Sequence, residues 1–205
     1  MNSLKKYIFI ATLLISKQSY SIESNAIGLP FNEYNALQLL AKWKVSTIEL
    51  PTYISNVHSD IYGEDNNKNQ LRDDYEKVLL SIYQRPEYVV MGLLAAKKWD
   101  RLLDIYSNSL IIEDTNQAKE ILAESLAINR CYYHLQTIDN NLSSPVLAYF
   151  NTDQRINAKK EAELKLISLI GNQQESLSLN RQSCRVFNTM LKTALNTEAH
   201  AELNY

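Results

Sequence analysis

Between Leu71 and Ile82 the apolar side chains fall at Leu71, Tyr75, Val78, Leu79 and Ile82, the spacing of one face of an α-helix. Asp73, Asp74 and Glu76 load its first turns with the negative charge that suits a helix N-terminus. The pattern returns at Ile121, Leu122, Ile128, Tyr132 and Leu135, opened by Asp114 with Gln117 three residues on, as in a capping box. Phe31, Tyr34, Leu37, Ala41 and Val45 give an earlier stripe. No segment alternates as a strand would; the run 109–112 reads more simply as the end of a helix. Helices are expected near 31–46, 51–62, 69–84, 86–98, 100–112, 115–138, 145–151, 154–171 and 174–197. Pro30, Pro51, Pro86 and Pro145 each precede such a segment, and Ser144-Pro145 reads as an N-cap followed by the first helical position. The fold class that follows is all-α, a single domain of antiparallel helices joined by short loops.

Glycine is scarce, and that excludes much chemistry. The four glycines, Gly28, Gly63, Gly92 and Gly171, stand far apart, whereas a dinucleotide fingerprint, a phosphate-cradling loop or a nucleophile elbow needs them close together. The segment from Gly92 to Tyr106, with Trp99 at its centre, resembles the turn of a tetratricopeptide-type helical hairpin, and Leu39-Leu40-Ala41-Lys42-Trp43 echoes its start. No repeating period of about 34 residues accompanies it, and two helices meeting at an aromatic residue explain it as well.

Lys5 and Lys6 precede an apolar run from Tyr7 to Ile15, followed by a polar stretch ending in Ser19-Tyr20-Ser21, the three regions of a secretory signal peptide. The run is too short for a membrane-spanning helix, which needs about 20 apolar residues. Residues 1–21 are therefore expected to be cleaved, leaving a helical domain over 22–205 that is periplasmic or secreted and not stably inserted in a membrane. Their removal takes three lysines and no acid, so 18 basic side chains face 23 acidic ones in the remainder. An acidic exported protein is poorly suited to nucleic acid and better suited to a basic partner.

Export also decides the reading of the two cysteines, because thiols outside the cytoplasm are oxidised. Cys131 and Cys184 are expected to form one disulfide. Leu177, Cys184, Phe187, Leu191 and Leu195 share a stripe on the last helix, so Cys184 faces the core.

Sites for a metal or for acid–base chemistry are thin. Asp65, Asn67, Asn69, Asp73 and Glu76 stand at positions 1, 3, 5, 9 and 12 of an EF-hand-like calcium loop. Gln70 occupies the sixth position, where the sharp turn calls for Gly, and Leu71 and Tyr75 read as part of a helix that would have to unwind. The segment is therefore read as a polar loop feeding an acidic helix start, and no metal or cofactor is expected. His58, His134 and His200 show no zinc spacing. Two carboxylates suffice to cleave a glycan, but Glu49, Glu87, Glu113, Glu124 and Glu161 all read as solvent-facing helix residues, so no catalytic residue is singled out.

Thirteen tyrosines against four Phe and two Trp are a biased usage, and Tyr combines large contact area with a polar tip at binding surfaces. Tyr75, Tyr83 and Tyr132 sit on apolar stripes and are expected in the core. Tyr53 and Tyr62 flank an irregular acidic stretch, which makes Tyr53, His58, Asp60, Tyr62, Glu64 and Asp65 the expected contact residues for a protein partner. The function that follows is an exported interaction module, an inhibitor or immunity-type protein that neutralises a toxin or enzyme, or an accessory envelope protein. The alternative is a carboxylate-dependent cell-wall glycan hydrolase.

Overall fold

The computed structural model describes residues 32–45, 60–140, 142–172 and 184–196. The expected signal peptide, Tyr53, His58 and most of the expected helix at 51–62 lie outside them. Among the described residues the chain is all α-helical, with seven helices and no strand: α1 (Glu33–Lys42), α2 (Asp73–Ile82), α3 (Pro86–Tyr106), α4 (Thr115–Gln136), α5 (Val146–Tyr149), α6 (Asp153–Ile170) and α7 (Arg185–Asn196).

Helix α3 is the hub. Its first half, Tyr88 to Ala96, is apolar all round and buried on every side, as a helix enclosed by others must be. Helices α1, α2, α4, α6 and α7 all pack on it. Where two helices were expected, at 86–98 and 100–112, there is one, because nothing between Lys97 and Arg101 breaks a helix and Trp99 points inward rather than marking a turn. The resemblance of Gly92–Tyr106 to a hairpin turn fails for the same reason. The helix stops where Asn108 takes a left-handed φ of 61°, so 107–112 is a connection.

Close approach explains Gly92. A Cβ there would stand 2.6 Å from Leu79 Cδ2, and Leu79 is fully enclosed, so α2 lies flush on α3 only because position 92 has no side chain. Around Trp99 the rings of Tyr149 and Phe150 lie at 5.4 and 6.0 Å between centroids, and Tyr149 meets Tyr75 edge-on at 5.1 Å. Tyr75, Tyr83 and Tyr132 are buried, as their stripes require. Cys131 and Cys184 are bonded, tying α4 to the start of α7.

Local chemistry sets several boundaries. Asp114 caps α4 by accepting from the Asn116 and Gln117 amides at 2.7 and 2.8 Å, and Gln117 reaches back one residue further than a capping box would, to the Glu113 amide. Thr152 caps α6 in the same way through the Arg155 amide. The expected helix at 145–151 is a single turn whose cap is Pro145 rather than Ser144. The helix expected at 69–84 begins only at Asp73, because Lys68 and Gln70 adopt φ of 59° and 66° and hold 69–72 out of it. Residues 60–62, placed at the end of an expected helix, form a turn.

Candidate functional site

The turn at 60–63 and the loop that follows stand against the C-terminal half of α3. Arg155, only 3% exposed on α6, anchors the turn: its Nε donates to the Ile61 carbonyl at 2.8 Å and its Nη2 to the Asp60 carbonyl at 3.4 Å. Gly63 fits beneath with φ 70°; a Cβ would meet the Arg72 side chain at 2.6 Å and Arg155 Nη2 at 2.9 Å. Arg72, also buried, donates to Asp74 Oδ1 at 2.5 Å and to the Tyr149 carbonyl at 2.7 Å. Two buried arginines thus fix a polar loop whose own sequence carries little apolar surface.

Between this loop and α3 lies a cleft of about 450 Å³. Tyr62, Asp65, Gln70 and Arg72 form the loop wall; Lys97, Asp100 and Asp104 form the helix wall. The last three share one face because they are three and four residues apart on α3. The Tyr62 hydroxyl straps the two walls, donating to Asp104 Oδ1 at 3.0 Å and meeting Ser107 Oγ at 2.6 Å. Lys97 lies 4.6 Å above the Trp43 ring, and burial draws its pKa down.

Asp100 is the chemically distinct group in the cleft. Burial pushes its carboxyl up to about 6 against the hydrogen bond donated by the Tyr149 hydroxyl; neighbouring Asp104 adds to the rise, and Arg72 and Lys97 oppose it. Between about pH 4 and pH 6 the folded protein therefore keeps a proton that the unfolded chain, with an ordinary value of 3.8, has already released. Stability contributed by Asp100 is lost as pH rises from about 4 to about 6 and is flat beyond. Asp100→Asn is expected to remove this fall, so melting temperatures of variant and parent, plotted against pH, converge or cross over that window; parallel curves would contradict it.

The six expected contact residues are partly brought together. Asp60 and Glu64 are exposed on the outer side of the loop, and Tyr62 is at its edge with the hydroxyl engaged as above. Asp65 is half-buried, its two oxygens accepting from the Asn69 and Gln70 amides at 3.1 and 2.8 Å. Of the glutamates read as solvent-facing, Glu113 and Glu161 are exposed, but Glu87 is 6% exposed beside Arg85. Glu124 is half-buried between Lys98 and Arg101. The Asp100–Asp104 pair already shared a face of the helix expected at 100–112; it was missed because nothing in the sequence shows that the 60–70 loop and Tyr149 close over that face.

Beside the cleft, the 65–76 segment folds on itself. Glu76 is fully buried at the first turns of α2, where the Nδ2 groups of Asn67 and Asn69 donate to its two oxygens, the first at 3.0 Å. Burial pushes Glu76 up to about 7 against these two donors, and Asp73 and Asp65 add to the rise. Asn66 donates twice to Asp73 Oδ2, at 3.1 Å from its backbone and 2.5 Å from its amide.

Among the described residues no helix is long and apolar enough to cross a membrane. Comparison of the chain with protein-family models, with curated proteins and with solved structures found no match.

Proposed function

We propose that the chain is an exported helical interaction module, inhibiting or escorting a protein partner, and that it takes that partner on the face made by residues 60–70 and the cleft behind them. The observation that carries this reading is the cleft itself: a polar recess in which Asp65, Asp100 and Asp104 outnumber Arg72 and Lys97, with Asp60 and Glu64 exposed outside it. Such an arrangement suits a lysine or arginine of the partner entering from the acidic rim. Rim carboxylates steer association and are screened by salt, whereas a central tyrosine carries much of the binding energy.

The test is a photo-crosslinker placed at Glu64 in the oxidised protein, incubated with the exported fraction of its own cell. One stoichiometric adduct is expected, lost when Tyr62 is replaced by Ala and weakened at high salt. Tyr62→Ala is expected to weaken the complex by about 2 kcal/mol and Glu64→Ala by under about 1 kcal/mol.

A second reading rests on Asp100 and Asp104, two carboxyl groups of which one is held protonated to about pH 6, as an acid–base pair on a glycan requires. The same preparation incubated with purified cell wall separates the two. Soluble fragments released by the parent and not by Asp100→Asn would replace the binding reading with the hydrolase.

A further inference from the structure

The loop set aside as a calcium site on sequence grounds has the backbone of one. The objection was Gln70 at the position that calls for Gly, yet Gln70 takes φ 66°, and its amide donates to Asp65 Oδ2 at 2.8 Å. The second objection was helix: α2 starts at Asp73, so Leu71 is not in it. Tyr75 is in it, together with Asp73 and Glu76 in its first turn.

Loop shape alone would not point to an ion; the charges do. Three carboxylates, Asp65, Asp73 and Glu76, are folded into one twelve-residue segment, and among the described residues none of them forms an ion pair. Arg72, the nearest guanidinium in sequence, gives its Nε and Nη2 to Asp74 and the Tyr149 carbonyl, and Lys68 is exposed. Asp73 is 8% exposed, and its Oδ1 is buried with no hydrogen-bond partner although its sister oxygen holds Asn66 of the loop. A buried carboxylate oxygen without a donor, in the same short segment as the buried Glu76, is unfavourable unless a cation joins it.

We infer that residues 65–76 bind calcium, with oxygens from Asp65, Asn67, Asn69, Asp73 and Glu76 and from the Leu71 carbonyl. No three His, Cys, Asp or Glu side chains among the described residues are grouped tightly enough to hold a metal alone. The two amides and the carbonyl complete the set, as hard oxygen ligands do for this ion. Asn67 and Asn69 turn nitrogen toward Glu76, and a half-turn of each amide presents oxygen instead, with the Gln70 backbone then held by the Asp65 bonds to the Asn69 and Gln70 amides. That turn gives up the bonds from the Asn69 and Leu71 amides to the two side-chain oxygens and those from the two Nδ2 groups to the Lys44 and Trp43 carbonyls, and gains two ligands. Six or more oxygens in a loop that can yield, with Glu76 able to ligate through both of its own, suit calcium rather than the smaller octahedral magnesium. The site shares Asp65 and Leu71 with the cleft wall, and its calcium titration is read without any protein partner present.

The test is calorimetric titration of the purified, disulfide-bonded, chelator-treated protein with calcium chloride and, separately, magnesium chloride, alongside thermal melts in each. One saturable calcium site per chain is expected, with a dissociation constant of about 0.1 to 1 mM and a melting temperature raised by calcium more than by magnesium. Glu76→Gln and Asp73→Asn keep the shape and remove a buried charge without an ion-pair partner, so both are expected to fold and to bind calcium roughly tenfold more weakly or worse. No saturable heat from the folded parent at millimolar calcium, or equal affinity in both variants, would overturn the site. Magnesium bound as tightly as calcium would overturn the choice of ion.

Discussion

Trp99→Ala is expected to destabilise the protein by about 3–5 kcal/mol, the range for emptying a large aromatic site in a core that cannot collapse. Trp99 is fully buried at the middle of α3, with Tyr149 and Phe150 against its rings. Five other helices pack on α3, so a void there has no free wall to move inward. For a domain of this size the loss corresponds to a melting temperature lower by about 6–20 °C. Trp99→Phe is expected to lose about half as much, since the indole Nε1 makes no hydrogen bond and its removal leaves no partner unpaired. Tyr133→Ala, at a side chain 75% exposed, is the control and is expected to shift stability by less than about 0.5 kcal/mol. Circular dichroism melts measure all three, and Trp43, the other tryptophan, remains as a fluorescence reporter. Near-parent stability of Trp99→Ala would mean that α3 is not the centre of the core. The variant also undermines the cleft, because Tyr149 both packs on Trp99 and donates to Asp100.

Period was legible on α2 and α4 but misplaced on α1, where Tyr34, Leu37 and Ala41 of the expected stripe are exposed and Ala36, Leu39 and Leu40 face the core. Tyr75, Leu79, Tyr132 and Leu135 recur at helical spacing, and they are buried because a helix with one apolar stripe has one way to hide it. The disulfide was legible from a count of two cysteines and an expectation of export. Helix α3 was harder, since a segment apolar all round carries no stripe, and Trp99 beside charged residues looked like an edge. The site residues were mostly illegible for a different reason. Arg155 reads as one more charged position on an amphipathic helix; only the fold brings it to the Ile61 carbonyl 94 residues away. Gln70 reads as incompatible with a tight turn, but two amide bonds to Asp65 and the Asn69 side chain's hold on the Leu71 amide fix the left-handed backbone that glycine would adopt unaided. Glu76 lies off the apolar face of α2 in any helical projection, and the loop folding back over it is what buries it.

Removing the Cys131–Cys184 bond is expected to cost about 4 kcal/mol, the chain-entropy value for closing the 53-residue separation between them. The reason lies in what α7 has without it. At 12 residues it is too short to hold helix on its own in water, so its order rests on packing. Phe187, Met190 and Leu191 supply that packing, Phe187 meeting Tyr132 edge-on at 5.8 Å, on the helix that also carries Cys131. The bond and the ring contact therefore hold the same pair of helices, and the bond limits how far α7 can separate when the contact opens. Cys131→Ala with Cys184→Ala is expected to melt about 8–16 °C below the oxidised parent. Reductant should bring the parent down toward the double variant and leave the variant unchanged. Hydrogen exchange is expected to rise first in 185–196, ahead of α3 and α4, because the loss falls on the short helix that the bond tethers. The bond itself is checked by alkylating the protein unfolded in denaturant without reductant: two labelled thiols, or covalent dimers on a non-reducing gel, would remove the bridge and with it the account of how α7 is held.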